Sequence, residues 1–101
     1  MKRGYYFGLA ATGLLITSMA AFGFTGQEYS KDAMVSLEEA RATALEAHPG
    51  KIIDQELEKE TGGSGLRYSF DIATNRGTQE VGVDAQTGSV LENSAEGPNP
   101  D

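Results

Sequence analysis

The sequence has no cysteine and no tryptophan, and only one histidine and three prolines in 101 residues. Without cysteine there are no disulfide staples, no thiolate metal sites and no thiol for a lipoprotein anchor. There is no thiol nucleophile either, and no Gly-x-Ser-x-Gly elbow takes its place. Positive charge is scarce: 8 Lys and Arg stand against 15 Asp and Glu, a formal net charge of -7. Such a surface repels the phosphates of nucleic acid and the headgroups of anionic lipid. Basic or neutral protein surfaces are the partners it leaves open.

The chain has one long uncharged run, and it comes first. Met1, Lys2 and Arg3 give a positive start, and Gly4 to Phe24 follows without a charge. Ser18, Ala20, Ala21 and Gly23 offer the small-x-small spacing of a signal-peptidase site. Residues 1–26 therefore read as a secretory signal peptide. The competing reading is an uncleaved anchor over residues 4–24, because about 20 apolar residues span a bilayer. Its Gly, Ala and Thr content makes it a weak stop-transfer segment. The expected location is periplasmic or extracellular, with membrane contact only if this segment is retained. Removing it leaves six Lys and Arg against all 15 acidic residues, a balance of −9.

Residues 27–35 read as a linker, 36–92 as one small domain and 93–101, "NSAEGPNPD", as a disordered tail. The domain opens on "SLEEARATALEAH". Ser36 and Glu39 form a capping box, Leu37, Ala40, Ala44, Leu45 and Ala47 recur at helical spacing, and Pro49-Gly50 ends the helix. The period then changes to two. Ile53 and Leu57 face one way in "KIIDQELEKE", opposite Asp54, Glu56 and Glu58. Leu66, Tyr68, Phe70 and Ile72 alternate with Arg67, Ser69 and Asp71, and Val81, Val83 and Val90 point inward on the last strands. Ile52 and Leu91 fall on the opposite face, which a bulge or a second contact would explain. The fold class is α+β: one N-terminal helix packed across an antiparallel sheet of about four strands, with Tyr68, Phe70, Val81 and Leu37 at the centre of its core.

"VGVDAQTGSV", residues 81–90, is the most regular stretch. Asp84 has the right type and place to accept hydrogen bonds from the turn amides, and Thr87 to do so more weakly. Gly88 supplies the positive φ that closes a four-residue loop built on a type I turn. Gln86 is expected mid-loop with its side chain in water. The role of the turn is to hold register, since a one-residue slip turns every inward valine outward.

The order "SLEEARATALEAHPGKI", "ELEKETG", "LRYSFDI", "EVGVDAQTGSVLE" resembles a PepSY domain across Val35 to Glu92. Its most specific parts are Glu39-Ala40, Pro49-Gly50, Val83-Asp84-Ala85 and Thr87-Gly88. The family takes its name from propeptides of thermolysin-like metalloproteases. The resemblance implies the same helix-on-sheet fold and a non-catalytic module, exported or membrane-attached, with a role in restraining proteases. It brings no catalytic motif. No protease follows in this sequence, so the implied action is in trans.

The remaining constellations assign no catalytic, cofactor-binding or metal residue, and the chain reads as no enzyme. His48, at a helix end, has the features of a capping or surface histidine. "TGGSG" at 61–65 lacks the lysine and following helix of a phosphate loop and reads as a hairpin turn. Asp54, Glu56, Glu58, Asp71 and Glu80 gather oxygen ligands of the kind Ca²⁺ takes, but without EF-hand spacing, so the expectation is a solvated face with pairing to Arg67. An open sheet edge suits β-augmentation by a protein partner and suits homodimerisation equally. The functional expectation is an exported PepSY-type binding module that modulates or inhibits an extracytoplasmic protease. The alternative is a structural or self-associating envelope protein.

Overall fold

The computed structural model describes residues 24–96. The segment expected as signal peptide or anchor lies outside them up to residue 23, as do residues 97–101 of the expected tail. A 3₁₀ helix, Gln27–Asp32, precedes helix α1, Leu37–Ala47. Four strands follow: β1 Lys51–Lys59, β2 Leu66–Thr74, β3 Gly77–Asp84 and β4 Val90–Ala95. They pair in sequence order, each antiparallel to the next. Short connections make this meander the cheapest sheet to close.

Helix α1 starts where the capping box requires. The Ser36 hydroxyl accepts from the Glu39 amide at 3.1 Å, and the Glu39 carboxylate accepts from the Ser36 amide at 3.0 Å. Two of the orphan amides of the first turn are thereby satisfied. His48 caps the other end with an extended backbone, and its N–H still reaches Ala44 O. Asn93 on β4 donates to Ala47 O at 3.4 Å, tying the last turn to the sheet.

The helix crosses β2, β3 and β4 on one face of the sheet. Ala40 and Ala44 are both fully buried there, because a methyl side chain lets the helix axis approach closely. Beneath them lie Tyr68, Phe70, Ile72, Val81 and Val83, with Leu57 from β1. The Tyr68 and Phe70 rings stack at 6.3 Å. Leu37 is a correction to the expected core: as the first helical residue it packs on the rim and is only half-buried.

Two bulges resolve the misplaced apolar residues. Ile52 pairs with Ile72 and Asp54 with Asp71, so Ile53 has no partner. Ile52 consequently faces the core, and Ile53 is 56% exposed, the reverse of the expected facing. Likewise Gly82 pairs with Glu92 and Val83 with Val90, which leaves Leu91 as the extra residue. Val90 does not join the core: it opens the last strand of the sheet and is 43% exposed.

The ends of the domain also differ from expectation. Residues 27–35 are not a plain linker, since the 3₁₀ helix packs beside β1 and Tyr29 and Val35 lie against the core. Ahead of it, Thr25 O accepts from Leu57 N at 2.8 Å and forms a short parallel bridge with Glu56. At the other end, Asn93 to Ala95, expected in the tail, complete β4.

Candidate functional site

Asp84 is the most connected polar residue of the fold. It is buried at the end of β3, and its Oδ1 accepts from Gln86 N at 2.8 Å, Thr87 N at 3.1 Å and Ser64 Oγ at 2.7 Å. Its Oδ2 accepts from Ser64 N at 2.7 Å. Burial alone pushes its pKa up, but these four hydrogen bonds outweigh that and hold it at about 2. The next residue extends the clamp. Ala85 O accepts from both Met34 N and Val35 N, and Ala85 N donates to Leu66 O. Tyr68 Oη adds a bond to Val35 O at 2.7 Å.

One corner thus joins the chain before the helix, the start of β2, the β1–β2 loop and the β3–β4 turn. Gly88 takes φ 82° and donates to Asp84 O, as the turn chemistry requires. The "TGGSG" loop is more than a spacer. It lays Ser64 on Asp84, and a Cβ on Gly63 would come within 2.5 Å of Asp84 Oδ2. That contact joins residues 20 apart in sequence, and no local pattern announces it. Gln86 likewise departs from expectation: its side chain is half-buried and donates to Asp32 O.

The face of the sheet away from α1 carries the charge. The register sets its residues in rows across the strands. Asp54, Asp71, Glu80 and Ser94 form one row, Glu56, Ser69, Gly82 and Glu92 the next, and Glu58 and Arg67 a third that ends at the clamped Asp84. Directly opposed like charges destabilise a sheet, yet Asp54, Asp71 and Glu80 face one another on three adjacent strands. Asp71, Glu80 and Glu96 bring carboxylate oxygens within 4.8 Å of one another.

This crowding raises the carboxyl pKa values. Glu56 is pushed up by burial and then by Glu58 and Asp54. Asp71 is raised by burial and then by Glu96 and Asp54, and Glu80 by burial, Glu92 and Asp71. Arg67 answers part of the charge. Its guanidinium lies over Gly82, where a Cβ would meet Nη1 at 3.0 Å, and pairs with Glu92 at 3.3 Å and Glu60 at 3.7 Å. Lys51 stands at the far end, opposite Ala73. Ser69 donates to Glu58 at 2.6 Å. These acids of the row with Glu96 are three carboxylates, Asp71, Glu80 and Glu96, where Ca²⁺ takes six to eight oxygens in all.

Two other places were candidates. His48 borders a depression of about 390 Å³ shared with the β2–β3 turn, and no carboxylate lines it. The His48 Nδ1 lies 3.3 Å from the carbonyl oxygen of Pro49. A groove of about 440 Å³ runs along the first half of β1, between Phe24, Arg41 and Ile52 to Gln55. It marks the expected open sheet edge, whose second half is already bridged by Thr25.

The family model for the peptidase propeptide and YPEB domain, PepSY, matches residues 34–93. The chain belongs to the PepSY family. The match runs from just before α1 through most of β4, so it contains the clamped corner and the acidic face apart from Ser94 and Glu96. PepSY domains are generally non-catalytic propeptide or regulatory modules, commonly associated with proteases and typically extracytoplasmic. No curated protein and no solved structure matches the chain. Among the described residues no helix is long and apolar enough to cross a membrane.

Proposed function

We propose that this chain is an exported PepSY module that binds an extracytoplasmic protease and restrains it in trans. The observation that carries the reading is the family match over residues 34–93. Propeptide-like modules act by occupying a protease surface, and that needs a rigid scaffold more than reactive groups. Here the corner at Asp84 and Ala85 supplies the rigidity, leaving most of one sheet face and the first half of the β1 edge open for contact.

Export belongs to the same proposal. The contacts of Phe24, Thr25 and Gly26 with the domain favour removal of the leader ahead of Phe24, in the early part of the 20–26 window. The test is to add the purified protein to the metalloproteases secreted by its own host and follow peptide hydrolysis. Saturable slowing at a defined stoichiometry supports the reading. Unchanged turnover of every such protease, with the chain intact and folded, contradicts it.

A further inference from the structure

We propose that the uncovered sheet face, centred on the row Asp54, Asp71 and Glu80, is a docking surface for a cationic polypeptide, a stretch or patch of the partner rich in Lys and Arg. The inference rests on reading the chain as a protein-binding module and names the chemistry of its partner. Three observations carry it. The face is unpartnered: α1 lies on the opposite side, and among the described residues no helix covers this one. Its charge is predominantly acidic: Asp54, Glu56, Glu58, Asp71, Glu80, Glu92 and Glu96 project from it, against two cations, Arg67 and Lys51.

The third observation is that the row Asp54, Asp71 and Glu80 works against folding, since its acids stand opposite one another with no cation between them in the register. The core lies on the other face. Sheets ordinarily pair opposite charges across strands, whereas here acids oppose acids on β1, β2 and β3. A cationic partner removes that repulsion on binding, so the strain becomes affinity and fast association. Four strands spaced about 4.8 Å apart present a row about 15 Å wide. An extended segment of about five residues spans it. Anionic partners are repelled, and arginine fits such a face best because its planar fork binds carboxylates in pairs.

The experiment uses the ¹⁵N-labelled full chain titrated with a ten-residue lysine–arginine peptide, read by amide chemical shifts. The expected shifts cluster at Asp54, Glu56, Ser69, Asp71, Glu80 and Glu92, and not on α1. Glu56→Gln with Asp71→Asn and Glu80→Gln should weaken binding about tenfold. Neutralising three acids elsewhere, Glu28→Gln with Glu38→Gln and Glu46→Gln, should change it less than about twofold. Equal loss in both variants, or shifts spread over α1, overturns the docking face and leaves only a net-charge effect. A CaCl₂ titration that saturates at Asp71, Glu80 and Glu96 at micromolar concentration and displaces the peptide overturns it in favour of a cation site. The footprint on the unaltered chain decides the matter even if a variant fails to fold. A lost footprint overturns the face whether or not a protease is inhibited. A retained footprint upholds it even where no protease is restrained.

Discussion

Asp84 has a carboxylate where most buried positions carry an alkyl group, and the reason lies in the donors around it. Ser64 N, Ser64 Oγ, Gln86 N and Thr87 N all point at its two oxygens. A carboxylate offers acceptors alone, so it satisfies four donors without adding one. Asparagine keeps one oxygen but sets an amide N–H against Ser64 N–H. Asp84→Asn should therefore cost about 1–3 kcal/mol, measured by urea unfolding at neutral pH. It should also remove the acid limb of the stability profile. The lowered pKa means that the contribution of Asp84 is present above pH 3.8 and is lost as pH falls through about 2. Gly88→Val should lower stability by about 1–3 kcal/mol through its φ of 82°, since the nearest side-chain atom to a Cβ there, on Val35, is 3.8 Å away. A thermal melt of that variant checks it. A normal melt would mean that the turn does not need the left-handed residue.

Helix α1 shows how much of an element a sequence announces. Its start at Ser36, its stop at Pro49-Gly50 and its apolar stripe were all readable, because capping and the 3.6-residue period are local. Its closest contact was readable only as a stripe of alanines, and the structure adds that Ala40 and Ala44 are the residues fully buried. Ala44→Leu should force the helix off the sheet at a cost of about 1–3 kcal/mol, whereas Ser36→Ala should cost about 1 kcal/mol. Chemical denaturation of the two variants checks that order. The strands were harder to read. β2 alternates without fault, and its facing is as expected, while β1 and β4 each contain a bulge that shifts the period by one residue. A bulge depends on what the neighbouring strand pairs with, which is long-range information. The same holds for Ser64 on Asp84 and for Glu96 beside Asp71: each joins residues that only the folded sheet brings together.

Across the whole molecule, stability and charge are laid on opposite sides. The helix-covered face holds the core, and the open face holds carboxylates whose pKa values are raised by burial first and by mutual repulsion second. For those groups the native state binds protons more tightly than the unfolded chain. Their cost is absent below the ordinary carboxyl pKa, and stability falls as pH rises through the raised values. Asp84 acts in the opposite sense at lower pH, so melting temperature should peak near about pH 4 and decline on both sides. The expected asymmetry is legible from calorimetry between pH 2 and pH 8. The central claim is that the acidic face is kept for binding at the expense of the fold. The most direct measurement is the melting temperature of Asp71→Asn with Glu80→Gln beside the unaltered chain at pH 7. The account predicts a rise of about 4 °C for the variant. A melting temperature below that of the unaltered chain would show that these carboxylates stabilise the sheet, and would contradict it.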